Sequence, residues 1–233
     1  MDQKETHKEY IVISLGGSII IPDLPDPDFI NLFRDFILEE TKKNKRFMII
    51  VGGGKTCRRY QEALGKTINA TITDLDWIGI YSTHLNAQLV RMSFGENAAP
   101  EIVVDPSVLV TLNHSVIIGA GWKPGWSTDY DAVMMAKQLG AKKIINLSNI
   151  DYAYDKDPNI YPEAKKLEKV SWTEFRSVIP KEWTHSGLNS PFDPVASKMA
   201  EAEGIEVAIM NGRNIENLKN YLDGGVFVGT VIK

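Results

Sequence analysis

Two apolar runs in this chain stop at consecutive glycines. YIVISL at 10–15 runs into GGS at 16–18, and FMIIV at 47–51 runs into GGG at 52–54. Both runs are rich in β-branched residues and lack the alternation of a half-solvated strand, so they predict strands buried on both faces. Such strands need helices above and below them, which commits the chain to an α/β fold with a mostly parallel sheet. Glycines placed directly after them let backbone N–H groups approach an anion, and a following helix adds the positive end of its dipole. One GGG after a strand is weak support for an anion site. Two such loops in one sheet are stronger, because two phosphates facing one another is what phosphoryl transfer needs. No GxxxxGK[ST] stretch occurs, so neither loop is a Walker A motif.

The rest of the chain continues the alternation. Strand-like runs fall at 101–105, 115–120, 142–149 and 205–210, with a closing strand in FVGTVIK. Helical spacing marks residues 29–43, 56–64, 74–95, 129–139, 171–179, 193–203 and 214–222. The proline-rich IIIPDLPDPD, the turn-rich 150–166 and residues 180–192 read as loops. With 233 residues there is room for one large α/β domain or two small ones. Ligands of such sheets lie at the carboxyl ends of the strands, where loops 16–18, 52–58 and 119–128 fall.

A net charge of −4 gives no basic field for nucleic acid or an anionic membrane. Cys57, the one cysteine, rules out an intramolecular disulfide and a cysteine zinc site. The polar start MDQKETHKEY is no secretory signal, and no apolar run reaches the roughly 20 residues of a bilayer span. A soluble, cytoplasmic protein is expected.

Arg58 lies four residues after Gly54, where its guanidinium can reach back over the helix start to a phosphate. Arg59 reads as a solvated charge. Asp74 reads as a helix cap, whereas Asp76 is evenly placed between capping and accepting hydrogen bonds from a ribose diol. Ser127 and Thr128 cap a helix or bind phosphate, with capping favoured; Asp129 and Asp131 complement its dipole, hold a metal or orient a lysine. Asp193 and Lys198 fit a cap and a solvated lysine. Trp122 and Trp126 flank a proposed ligand loop, where they stack on a base or cover apolar surface. Four scattered histidines have no ligand spacing, and Cys57 reads as a small helix residue.

Taken in order, VISLGGSI, IIVGGGKTCRRY, LDWIGIYSTHLNAQLV, GWKPGWSTDYDAV, NIDYAYDKDP and FDPVASK resemble the amino acid kinase superfamily, and within it the archaeal-type UMP kinases. The resemblance implies a three-layer α/β/α sandwich with a mostly parallel central sheet. Its N-terminal half would bind the phosphate acceptor UMP and its C-terminal half ATP with Mg²⁺, in one domain over residues 1–233. By the same resemblance, Gly53, Gly54, Arg58, Asp76, Trp122, Ser127 and Thr128 would bind UMP. Gly17, Ser18, Ser148, Asn149, Tyr154 and Asp157 would bind ATP. The catalytic set would be Asp129, orienting active-site groups, Lys198, near the transferring phosphoryl group, and Arg58, beside the acceptor's phosphate, with no protein metal ligand assigned. A homo-oligomer, a hexamer or dimer built on the 74–95 helix, is expected. The chain departs from the family pattern at Ser14, where many members carry lysine, and at Tyr152, where glycine is usual. Asp131 puts a charge where the pattern is generally apolar. Those departures leave two other readings: another acceptor, or nucleotide binding without turnover.

Overall fold

The computed structural model describes residues 10–108, 113–182 and 190–233. Seven strands build its central sheet: β1 (Tyr10–Leu15), β2 (Arg46–Val51), β3 (Val116–Gly119), β4 (Lys143–Ser148), β7 (Lys169–Val170), β8 (Glu206–Asn211) and β9 (Thr230–Ile232). Their order across the sheet is β3-β2-β1-β4-β8-β9-β7. From β3 across to β8 every pairing is parallel, while β9 runs antiparallel to β8. A separate hairpin pairs β5 (Ala153–Tyr154) with β6 (Lys166–Leu167).

Successive side chains of a strand face opposite sides, and here each side carries its own core. Ile13, Leu15, Phe47, Ile49 and Val51 pack with Phe29, Phe33 and Ile37 of α2 (Pro27–Lys42) and with Ala87, Val90 and Phe94 of α4 (Ile72–Phe94). Val12, Met48, Ile50 and Ile144 pack on the other side. Their partners are Ala132, Val133 and Met135 of α5 (Thr128–Leu139), Phe175 of α6 (Trp172–Val178) and Ala196 of α7 (Pro194–Ala202). The expected three-layer sandwich is therefore present. The short α1 (Gly17–Ile20), α3 (Gly54–Thr67) and α8 (Ile215–Leu222) complete it.

Two expectations need correction. GGS is no simple loop, because Gly17 already begins the helical turn α1. Residues 101–105 form no strand: Val103 alone bridges Gly119, through two backbone hydrogen bonds to the 118–120 segment. The 180–192 loop falls partly outside the described residues.

Helix starts follow their capping chemistry. Thr71 and Asp74 satisfy each other's backbone N–H groups in a capping box, so Asp74 is a cap as expected. Asp193 accepts from the N–H groups of Val195 and Ala196 at 2.6 Å each and starts α7. β1 pairs with β2 on one side and β4 on the other, so the chain's progress across the sheet reverses at β1. A crevice opens at the carboxyl end of such a reversal.

Candidate active site

The pocket in that crevice has a volume of about 270 Å³. Its floor is two glycine loops in backbone-to-backbone contact. A Cβ on Gly17 would lie 2.1 Å from the Gly54 nitrogen and 2.6 Å from the Gly52 carbonyl, and one on Gly52 would lie 2.6 Å from the Gly17 nitrogen. Gly54 adopts φ +61°, a left-handed conformation that side chains disfavour. Asn86 of α4 holds this arrangement from behind, donating from Nδ2 to the carbonyls of Gly52 and Gly53 at 2.9 Å each. With those carbonyls turned back onto α4, the loop is ordered at the start of α3. Arg58, on the first turns of α3, donates from Nη2 to Ser18 Oγ at 3.5 Å and so spans from one glycine loop to the other.

Asp129 ties four elements together. Its Oδ1 accepts from Ser14 Oγ on β1 and Asn146 Nδ2 on β4, both at 2.9 Å, and its Oδ2 accepts from the Asp193 N–H at 3.2 Å. Burial, helped by the nearby Asp193 charge, pushes its pKa up to about 7, against the pull of the Ser14 and Asp193 hydrogen bonds. Burial also raises Asp193, against hydrogen bonds from Ala196, Ser127 and Val195. Cys57 lines the pocket, but burial lifts its thiol to about 11. At neutral pH it is no nucleophile.

The third wall is the 121–127 loop. Gly121 N–H donates to Thr83 Oγ1 at 2.8 Å, and the Gly121 carbonyl meets His84 Nε2 at 2.8 Å. Gly125 N–H donates to Asp76 Oδ2 at 2.9 Å. Asp76 is thus no helix cap; it is buried and grips the loop. Ser127 caps α5 through the Tyr130 N–H, the favoured reading, and also lines the pocket.

Among the expected residues, Gly17, Ser18, Gly53, Gly54, Arg58, Asp76, Ser127, Thr128, Asp129, Ser148 and Asn149 all line this one pocket. Four others do not. Lys198 is exposed on α7, where Pro194, Ala196, Ser197 and Ala200 take the inward face, and the turn of the helix carries the lysine to solvent. Tyr154 and Asp157 belong to the hairpin beyond the pocket; Asp157 accepts from the Asn159 N–H at 2.9 Å and shapes a turn there. Trp122 stacks on Trp126, 6.5 Å between centroids, and it is Trp126 that reaches the pocket. Ser14, Thr83, Asn86 and Asn146 carry no site role in the sequence reading, and Asp193, read as a cap, both caps α7 and lines the pocket. One signal was there for α4: Asp76, Gly79, Thr83 and Asn86 recur at helical spacing and form a small, polar stripe on an otherwise apolar helix.

Arg58 is the one cationic side chain lining the pocket among the described residues, against the carboxyls of Asp76, Asp129 and Asp193. The helix starts at Gly54, Thr128 and Pro194 adjoin it and add the positive ends of their dipoles. Backbone amides, one guanidinium and helix starts form a cradle for anions that needs no covalent participation from the protein.

The amino acid kinase family model matches residues 9–211. A uridylate kinase from Methanospirillum hungatei is 35% identical over 224 residues, covering 95% of this chain and 94% of that protein. One from Pyrococcus abyssi is 33% identical over 217 residues, covering 92% and 95%. The crystal structure of uridylate kinase from Archaeoglobus fulgidus superposes with a TM-score of 0.80 at 30% identity, over 96% of this chain and all of that one. A UMP kinase from Ureaplasma parvum, at 19% identity, shares the fold with a TM-score of 0.75. With the matched model spanning nearly the whole chain and the fold and glycine-lined crevice in place, this chain belongs to the amino acid kinase family.

Proposed function

We propose that this chain is a UMP kinase, moving the γ-phosphoryl group of ATP to UMP. One observation carries the reading: two glycine loops from adjacent strands touch, and Arg58 crosses from one to the other. A donor and an acceptor phosphate held on those loops lie side by side. Phosphoryl transfer through a loose transition state asks for this alignment and for charge neutralisation. The N-terminal half supplies the acceptor side, with Gly53, Gly54, Arg58, Asp76, Ser127 and Thr128. The ATP side takes Gly17, Ser18, Ser148 and Asn149. Asp129 orients Ser14, Asn146 and the start of α7 around them. No group of three His, Cys, Asp or Glu forms a metal cage among the described residues. Mg²⁺ would be carried by the ATP phosphates, as it commonly is with one or two carboxylates at most, and would add charge neutralisation to that of Arg58. At the position of Ser14 no lysine is required for order, since the hydroxyl is buried and bonded to Asp129.

An ADP-release assay with ATP and Mg²⁺ against UMP, CMP and other acceptors tests the reading. Turnover with UMP is expected; turnover only with another acceptor, or none in protein that binds ATP, overturns it. Within that assay, Arg58→Ala should raise the KM for UMP about 10- to 150-fold, the equivalent of losing a charge-assisted contact of about 1.5–3 kcal/mol. The KM for ATP should change little. Equal losses for both nucleotides would remove Arg58 from the acceptor side.

A homo-oligomer in the cytoplasm is part of this proposal. The outer face of α4 carries Trp77 42%, Tyr81 62%, Leu85 64%, Leu89 39% and Met92 64% exposed. The helical spacing of Tyr81, Leu85, Leu89 and Met92 is legible in the sequence, but the face they make looks outward while the polar stripe looks in. An apolar stripe along 23 residues suits a second copy of the same helix across a twofold axis. Light scattering should find a dimer or larger species, and Tyr81→Lys with Leu85→Glu should yield monomer. No helix among the described residues is long and apolar enough to cross a membrane.

A further inference from the structure

Asp131 is fully buried, yet it lies outside the pocket and has no part in the scheme above. Its Oδ2 accepts the Trp122 N–H at 3.2 Å, and its Oδ1 is buried without a hydrogen-bond partner among the described residues. A carboxyl with an orphaned oxygen away from water costs stability, and far more when it is charged. Burial raises its pKa well above the usual carboxylate range against the Trp122 hydrogen bond, and Asp129, Asp193 and Asp105 push it further up.

The residue before it, Tyr130, stacks on Trp126 with centroids 4.0 Å apart. Trp126 in turn stacks on Trp122, over whose ring Lys123 Nζ lies at 3.7 Å. The 122–126 segment is thus fastened to α5 at both ends, by a ring contact at Trp126 and by a backbone hydrogen bond at Trp122. α4 holds the loop from the other side through Thr83, His84 and Asp76.

We infer that Asp131 is a positioning residue for the acceptor: by accepting the Trp122 N–H, it fixes the aromatic ladder whose Trp126 end walls the acceptor side of the pocket. The inference rests on the kinase reading, since it says which substrate the loop serves. Asp131 touches neither substrate and acts only through the loop.

Two variants separate positioning from mere packing. Asp131→Asn keeps an oxygen for the Trp122 N–H and cannot ionise. Asp131→Leu keeps the branched outline of the side chain, with bulkier ends, and removes the acceptor. Wild-type protein is first assayed with ATP and UMP, and failure there defeats the kinase reading rather than this inference. In active protein, Asp131→Leu should raise the KM for UMP about 10-fold with the KM for ATP within twofold, while Asp131→Asn stays within twofold of wild type for both. Amide hydrogen exchange of the 121–126 segment should speed up in Asp131→Leu alone, whatever the activity. Unchanged UMP KM and exchange in Asp131→Leu would overturn the inference. So would equal losses for both nucleotides, or an Asp131→Asn variant as impaired as Asp131→Leu, which would mean that the charge matters. If Asp131→Leu does not fold, Trp126→Leu replaces it: loss of the ladder should give the same selective rise in UMP KM, and an unchanged value overturns the inference.

Discussion

Replacing Gly17 by alanine should cut turnover about 100-fold while leaving the secondary structure in place. The new methyl group would sit 2.1 Å from the Gly54 nitrogen and 2.6 Å from the Gly52 carbonyl. The atoms it meets are backbone, so no rotamer change relieves the clash and the two loops must separate. Those loops are the proposed holders of donor and acceptor phosphate, and a displacement of roughly 1 Å at a reacting centre costs on the order of 100-fold. The strain also lowers stability, by about 1–3 kcal/mol if it behaves as other overpacked sites do. Gly65→Ala is the control. That glycine lies inside α3 with nothing within 4 Å of an added methyl. It should keep full turnover and gain up to about 1 kcal/mol from helix propensity. Circular dichroism and steady-state kinetics on both variants check the pair. A Gly17→Ala enzyme with wild-type kcat would mean that the contact between the loops has no part in transfer.

The second large effect concerns Asp129, whose single carboxylate accepts from Ser14, Asn146 and the Asp193 N–H. In Asp129→Asn the new side chain would have one oxygen for these three donors and would turn an NH₂ group toward at least one of them. A buried partner left unsatisfied costs about 1–3 kcal/mol of stability, and the elements it anchors shift; a displacement of roughly 1 Å at the reacting centre lowers kcat on the order of 100-fold. Stability should respond in the opposite sense with pH. The folded-state pKa of about 7 lies above the ordinary 3.8. Between those values the folded chain holds a proton that the unfolded chain has released, so the Asp129 contribution to stability falls as pH rises from about 4 to about 7. Asparagine cannot ionise and carries no such loss. The melting temperature of Asp129→Asn relative to wild type should therefore be higher at pH 8 than at pH 4. One pKa unit corresponds to about 1.4 kcal/mol, and 1 kcal/mol to about 2–4 °C in a chain of this size, so the gain should be at least about 3 °C. A difference that does not vary with pH would mean that Asp129 is already ionised at pH 4 in the folded chain.

Much of this protein was legible before any coordinates. β-branched apolar runs ending in glycine marked β1, β2 and their loops, because local sterics allow little else there. The ordered motifs carried the family, and the residues beside the glycines, Arg58 among them, reached the pocket as expected. Legibility ended where a residue's role depends on what stands opposite it. Lys198 sits in a stretch that resembles the family, yet the phase of α7 turns it to solvent. Residues 101–105 have strand-like composition, but only Val103 finds a bridging partner. Asp76 has the sequence position of a cap, while the loop folded over it supplies the Gly125 N–H. Asp131 looked like a charge at a helix start and is an enclosed acid gripping Trp122. The sequence by itself determined which segments become strands and helices and where glycine lets backbone approach an anion, because those follow from torsional freedom and periodic burial along the chain. Only the tertiary structure decided that Gly17 meets Gly54, that α4 turns its polar stripe inward, and that four elements converge on Asp129. Gly17 and Gly54 are 37 positions apart and Ser14 and Asp129 are 115 apart, and no local preference encodes which of them will meet.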